Sequence, residues 1–61
     1  MRKVKEHKNF VIATDDKTNK ANGYDEYSVF TKEEYSMGEG LRYSEIETGS
    51  IQEAIDFIDC Y

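Results

Sequence analysis

The chain has 61 residues, of which 13 are acidic and 8 are basic, and its formal net charge is −5 at pH 7. This length allows one small domain and excludes two. The single cysteine excludes an internal disulfide, no apolar run could span a bilayer, and no apolar stretch follows the basic start as in a secretory signal. We therefore expect a cytoplasmic protein without a membrane element.

The composition contains signals for both disorder and folding. Hydrophobic residues make up only 38%, which favours disorder, but five tyrosines, three phenylalanines and clusters of β-branched residues favour a folded chain. We expect a folded domain. A chain this short leaves apolar surface uncovered by its own core, so we also expect a homodimer.

The first half of the chain contains a basic segment, a strand and a polar segment. Residues 1–8 hold four of the eight basic residues and are interpreted as a basic N-terminal arm or the frayed start of a strand. Residues 9–14 (N-F-V-I-A-T) predict a central strand with both faces covered, because their apolar residues are consecutive. Residues 15–23 are polar and end in Asn-Gly, which predicts a long, mobile hairpin loop.

Residues 24–31 predict a second strand, after which the pattern has two interpretations. Thr31 and Glu34 fit a capping box that opens a short helix ending at Gly38. Alternatively, residues 31–37 continue the strand into a turn at residues 38–40. The alternation of Glu33, Tyr35 and Met37 slightly favours the strand.

The last part of the chain predicts a third strand and a helix. Residues 41–48 form the strand, and Ser50 with Glu53 forms a second capping box. Apolar residues at helical spacing then predict a C-terminal helix over residues 50–60. The expected fold class is therefore α+β: a three-stranded antiparallel meander within residues 9–48, followed by one helix (βββα). Its expected core is Phe10, Ile12, Val29, Phe30, Leu41, Ile46, Ile51, Ala54, Ile55 and Ile58.

Residue types that carry catalysis or bind metals are scarce. His7 lies in the basic arm and is expected to be solvated, and Cys60 has no second cysteine and only a distant histidine as an activator. One histidine and one cysteine exclude a structural zinc site. Asp15 and Asp16 lack the spacing of a calcium loop, and residues 38–40 lack the lysine of a phosphate loop. We expect no catalytic, cofactor or metal site, and no enzyme.

Charge is divided unevenly along the chain. Residues 1–20 carry six basic and three acidic side chains, whereas residues 21–61 carry two basic and ten acidic ones. The basic arm provides the alternative function, a nucleic-acid-associated or regulatory protein of a mobile element that contacts phosphates through Arg2, Lys3, Lys5 and Lys8. The βββα layout also resembles the arm-binding domain of some phage integrases, whose sheet is basic. Here the strands are acidic, so nucleic acid is not the favoured partner.

The acidic part predicts a binding face for a basic protein surface. Tyrosines combine apolar area with a hydroxyl group and are enriched at interfaces, and carboxylates beside them steer a basic partner. The candidate partner-binding residues are Tyr24, Asp25, Glu26, Tyr27, Glu33, Glu34, Tyr35, Tyr43, Glu45 and Glu47.

The small size, the acidity and tyrosine-rich stretches such as Y-D-E-Y-S-V-F-T-K-E-E-Y resemble small bacteriophage accessory proteins, including anti-CRISPR and other anti-defence proteins. The resemblance covers the whole chain in style and matches no motif, so it assigns no functional residue. It implies a non-enzymatic inhibitor, in the cytoplasm of the host cell, that binds and blocks a bacterial antiviral defence protein.

Overall fold

A computed structural model describes residues 1–38 and 43–61. These residues form a four-stranded antiparallel sheet with strand order β1-β2-β3-β4, together with three helices. The α+β class, the antiparallel sheet and the C-terminal helix are as predicted, while one strand and two helices are additional. The elements in chain order are β1 (Arg2–His7), β2 (Phe10–Thr14), α1 (Asp16–Asn22), β3 (Tyr27–Thr31), α2 (Lys32–Ser36), β4 (Ile46–Thr48) and α3 (Ile51–Asp59).

The basic N-terminal segment is an edge strand of the sheet. β1 pairs with β2 through a two-residue turn in which Lys8 and Asn9 both have positive φ angles, 46° and 70°. Two positive φ angles in a two-residue turn are the geometry that suits the twist of a β-hairpin. Of the two interpretations of this segment, a basic arm or the frayed start of a strand, the strand is correct, but it is a separate edge strand and not part of β2. Its side chains are mostly charged and exposed, as is common where an edge strand must avoid pairing with other chains.

The predicted hairpin loop over residues 15–23 is wrong, because residues 16–22 form a helix. The Asp15 carboxylate caps α1 by accepting hydrogen bonds from the backbone N–H groups of Lys17 and Thr18. Gly23 ends the helix with a φ of 80°, and its N–H donates to the Asn19 carbonyl. The Asn-Gly pair therefore terminates a helix here instead of forming a hairpin turn.

The strand interpretation of residues 31–37 is wrong, and the helical alternative is correct. The Thr31 hydroxyl accepts a hydrogen bond from the Glu34 N–H at 3.1 Å, so the predicted cap is present. Gly38, with a φ of 91°, follows the helix. Because the capping bond satisfies an otherwise free N–H group, it favours the helix over continued pairing with β2.

Two predicted strands are too long. The second begins at Tyr27 rather than at residue 24. In the described part of the third, which was predicted over residues 41–48, only Ile46–Thr48 forms a strand, β4. Residues 41 and 42, including the predicted core residue Leu41, lie outside the described residues. The Glu45 N–H donates to the Val29 carbonyl at 2.7 Å immediately before β4 begins.

The main core lies between α3 and one face of the sheet. Ile12 and Val29, opposite each other on β2 and β3, pack against Ala54 and Ile58 of α3. Partly buried residues surround this cluster, and the predicted members among them are confirmed: Phe10, Ile46, Ile51 and Ile55, joined by Tyr27 and Phe57. The Ser50 hydroxyl caps α3 by accepting from the Glu53 N–H, which confirms the Ser50 half of the predicted capping box. The Glu53 carboxylate accepts a hydrogen bond from the Ser50 hydroxyl, at 3.3 Å.

The opposite face of the sheet is also covered at its centre. Val11, Ala13 and Phe30 are buried there, and α2 packs on this side of β2 and β3. The Tyr35 ring of α2 lies 5.7 Å from the Phe30 ring. The prediction that the consecutive apolar residues of β2 have both faces covered is thus confirmed.

Truncating the central side chain should unfold much of the population. Ile12→Ala should lower the free energy of unfolding by about 2–5 kcal/mol, a large share of the roughly 3–9 kcal/mol expected for a chain of this length. Ile12→Val should cost about 0.5–1.5 kcal/mol. Urea unfolding followed by circular dichroism measures both. Met37→Ala, at an exposed position, is the control and should change the free energy by less than about 0.5 kcal/mol. Equal losses for Ile12→Ala and Met37→Ala would contradict the core assignment.

Candidate functional site

The strand order separates the charges that the sequence divides. β1, which carries Arg2, Lys3 and Lys5, and β4, which carries Glu47, are the two outer strands of the sheet. Glu45 immediately precedes β4, and Asp25 and Glu26 immediately precede β3. We call the four carboxylates Asp25, Glu26, Glu45 and Glu47 the acidic edge.

The basic side chains of the first hairpin are largely paired within the protein. The Arg2 guanidinium donates two hydrogen bonds to the Asp16 carboxylate, at 2.9 and 3.0 Å. Lys3 forms an ion pair with Glu6 at 2.7 Å. Lys8 forms one with Asp59 at 2.9 Å. These pairs occupy three of the four basic residues assigned to the arm.

The carboxylates of the acidic edge are not neutralised by ion pairs in the described part of the chain. None of its four carboxylates forms an ion pair within residues 1–38 and 43–61. Asp25, Glu45 and Glu47 are exposed, and Glu26 is half-buried. Their negative charge therefore faces the surroundings of the protein.

A buried hydrogen-bond network holds Glu26 in place. The Asn19 side chain accepts from the Glu26 N–H at 3.0 Å and donates to the Thr14 hydroxyl at 2.6 Å. The Thr14 hydroxyl in turn donates to the Glu26 carbonyl at 2.7 Å. Both backbone groups of Glu26 are thus fixed by side chains of β2 and α1, which positions this end of the acidic edge.

The predicted binding tyrosines divide into two pairs. Tyr24 and Tyr43 are exposed, with 60% and 79% of their surface accessible, and are available to a partner. Tyr27 packs against the main core, and Tyr35 contacts Phe30 on the opposite face of the sheet. For Tyr27 and Tyr35 the structure therefore provides a packing role.

The two predicted glutamates of α2 also differ from each other. Glu33 is exposed, whereas Glu34 is half-buried and its carboxylate accepts a hydrogen bond from the Tyr43 N–H at 3.3 Å. This bond connects α2 to the segment that leads into β4. The structure thus brings Glu34 and Tyr43 together. Glu26 and Glu47 lie at a different place, where both line a groove.

The groove has a volume of about 130 Å³ and lies between the start of α1 and the sheet. Ser28 and Glu47, opposite each other on β3 and β4, form its sheet side together with Glu26. Met1, Asp15, Thr18 and Asn19 complete the lining. Asn19 and Ser28 were not predicted as site residues, because only the folded chain places them beside Glu47, and Asp15 was considered only for a calcium loop.

The prediction of a solvated His7 is wrong. Its side chain is only 25% exposed, and its Nε2 lies 2.8 Å from a carboxylate oxygen of Asp59. Hydrogen bonds from His7 and then from Lys8 hold the pKa of Asp59 below its ordinary value. The contact fastens the end of α3 to the first hairpin. Cys60 beside it is a free, exposed thiol.

Within the two described segments, no group of three or more histidine, cysteine, aspartate or glutamate side chains is placed to hold a metal ion. None of the helices there is long and apolar enough to cross a membrane.

Comparison with protein-family models, with curated proteins and with solved structures finds no match to this chain.

Removing the Asn19 side chain should loosen the end of the acidic edge. Asn19→Ala leaves the Glu26 N–H and the Thr14 hydroxyl short of a partner, which should lower the free energy of unfolding by about 1–3 kcal/mol. Urea unfolding measures this loss, and hydrogen exchange at the Glu26 amide should accelerate. Asn22→Ala, on the exposed surface of the same helix, is the matched control. If Asn22→Ala is equally destabilising, the network has no special role.

The contact of Asp59 with His7 should make the free energy of unfolding depend on pH in the acidic range. The pKa of Asp59 is lower in the folded than in the unfolded protein, so the unfolded chain takes up the proton first as the pH falls. The stabilisation by Asp59 is complete above the pKa of the unfolded chain and is lost as the pH falls through the folded value. Asp59→Asn should therefore be less stable than the parent at pH 7, and this difference should shrink toward about pH 2.

Thermal unfolding at a series of pH values tests this dependence. Asp56→Asn removes one charge from the same helix at a residue that has no ion pair in the described structure, and provides the control. A difference between the parent and Asp59→Asn that widens in acid would reverse the expected sign and refute the assignment.

Proposed function

We propose that this protein is a non-enzymatic binding module that places its acidic edge on a basic surface of another protein. Most concretely, we propose a phage-encoded inhibitor that binds and blocks a bacterial antiviral defence protein. The observation that carries the proposal is a difference in ion pairing between the two edges of the sheet. The basic residues of the first hairpin are mostly paired internally, whereas the four carboxylates of the acidic edge have no cationic partner in the described residues.

Surface carboxylates without ion pairs attract a basic partner before the two proteins touch. Charges of one sign that are grouped on a surface accelerate the approach of an oppositely charged surface, over a range of about 8 Å at physiological salt. The exposed rings of Tyr24 and Tyr43 would provide the apolar contact area that carboxylates lack. An acidic surface with exposed tyrosines suits a basic groove of the kind that holds nucleic acid in the target.

The phage and anti-defence part of the proposal rests on the resemblance in size, acidity and tyrosine content to small phage proteins. Occupation of a nucleic-acid groove by such a surface would inhibit a defence enzyme without any chemistry by the inhibitor. This mode of action needs a stable surface and no catalytic group.

Direct binding of nucleic acid through the first hairpin is less favoured. Phosphates would have to compete with Asp16, Glu6 and Asp59 for Arg2, Lys3 and Lys8. Basic side chains that remain in these ion pairs do not neutralise phosphates or release their counterions. The affinity for nucleic acid is therefore lower than the number of basic residues indicates.

Two charge variants test the acidic edge. Glu45→Gln/Glu47→Gln removes two of its carboxylates, and Glu53→Gln/Asp56→Asn removes two exposed carboxylates from α3. Both change the net charge of −5 by the same amount. Tagged parent protein and both variants are used for affinity purification from nuclease-treated bacterial lysate, followed by mass spectrometry and measurement of association rates with the recovered protein.

We expect one stoichiometric partner for the parent and for the α3 variant, and about tenfold slower association for the acidic-edge variant at low salt. Raising the salt should slow the parent toward the rate of that variant. If the acidic-edge variant associates as fast as the parent at low salt, the acidic edge is only a solvated surface. Recovery of nucleic acid alone, from lysate not treated with nuclease, would favour the function through the basic hairpin.

A further inference from the structure

We infer that the groove between α1 and the β3–β4 end of the sheet is an anchor site for one guanidinium group, supplied by an arginine side chain of the partner. This inference rests on the proposed function and deepens it, because the groove lies within the acidic edge. It identifies the point at which a basic surface would be held after electrostatic approach.

The fold directs three oxygen-bearing side chains into the groove from the sheet. Ser28 and Glu47 are directly opposite each other on β3 and β4, so their side chains share one face of the sheet. Glu26 precedes Ser28 by two residues and also lines the groove. Its backbone is fixed by the bonds to Asn19 and Thr14, so this wall is held in place before any partner binds.

Ser28 provides the observation that is independent of the acidic residues. It is only 6% exposed, yet its hydroxyl forms no hydrogen bond to another residue described in the structure. A buried hydroxyl without a partner costs free energy, so such a group normally bonds to protein, to water or to a ligand. Ser28 lines the groove and is the pairing partner of Glu47 on β4.

The charge of the groove selects a cation. Its lining contains the carboxylates of Asp15, Glu26 and Glu47 and no lysine or arginine. Met1 also contributes to the lining. Three carboxylates around one groove make a positive charge favourable at this end of the sheet.

The shape and the acceptors favour guanidinium over a metal ion or an ammonium group. The acidic groups of the described residues are not arranged to hold a metal ion. The volume of about 130 Å³ leaves room for a planar group such as guanidinium. Guanidinium has five N–H donors in a fixed plane, which suits two carboxylates and a hydroxyl spread across neighbouring strands, whereas ammonium is a compact point charge.

The experiment uses a single arginine as the probe, so it does not require the partner. The ¹⁵N-labelled protein is titrated with N-acetyl-arginine methylamide, and amide shifts are followed by NMR. The equivalent citrulline compound, which has the same shape without the charge, and the equivalent lysine compound are titrated in parallel. We expect saturable shifts at Asn19, Ser28 and Glu47 with arginine, at least about fivefold weaker binding of lysine, and no saturable binding of citrulline.

Matched variants locate the binding. Glu47→Gln should weaken arginine binding about tenfold and Ser28→Ala about threefold, because each removes one acceptor. Glu45→Gln removes the same charge from the same edge outside the groove and should weaken binding less than about twofold. The amide spectrum of each variant also shows whether it is folded, so a loss of binding by unfolding is recognised.

Several results would overturn the inference. Equal binding of citrulline would make the groove a polar cleft without charge selection, and equal binding of lysine would remove the preference for guanidinium. Equal losses for Glu45→Gln and Glu47→Gln would indicate diffuse attraction. If arginine fails to bind while the acidic-edge variant still loses its protein partner, only the anchor site fails. If arginine binds while that variant keeps its partner, only the proposed function fails.

Discussion

The burial of β2 is the constraint on which the rest of this fold depends. Its residues Val11, Ile12, Ala13 and Thr14 are all buried, with β1 along one edge and β3 along the other. One face is covered by α3, and α2 packs against the opposite side. The neighbouring strand β3 is buried over Ser28, Val29 and Phe30 as well. A chain of 61 residues covers these two inner strands and has little surface left to cover the outer ones. The outer strands β1 and β4 are therefore partly solvated.

The elements that were predicted correctly are those whose signals act locally. The helix α3 combines apolar residues at helical spacing with the Ser50 cap, and both features survive in the folded protein. The consecutive apolar residues of β2, which include β-branched and aromatic side chains, favour a strand buried on both faces, and the structure shows that strand. In both cases the hydrophobic pattern and the local hydrogen bonding favour the same structure, so tertiary packing has nothing to override.

The errors occur where one local signal fits two structures. Asn and Gly both tolerate positive φ angles, so Asn22-Gly23 suits either a hairpin turn or the end of a helix. In the structure only Gly23 has a positive φ angle, and the carboxylate of Asp15, seven residues before Asn22, caps the start of the helix. The charged strand β1 has no apolar alternation, so its sequence alone does not identify it as a separate strand. It becomes a strand by pairing with the edge of β2. The groove depends on register: Ser28 faces Glu47 because β3 and β4 pair as they do, and spacing in the sequence does not contain that information.

The two edges of the sheet show that exposed charge has more than one use here. Charged side chains on an outer strand prevent pairing with other chains, and both β1 and β4 satisfy that need. On β1 this protection coexists with internal ion pairs from Arg2 and Lys3, so unpaired charge is not required for it. β4 is only three residues long, which by itself limits edge pairing. The carboxylates of the acidic edge, which have no ion pair in the described residues, therefore exceed what protection of β4 requires, and this excess supports the proposed binding role of that edge.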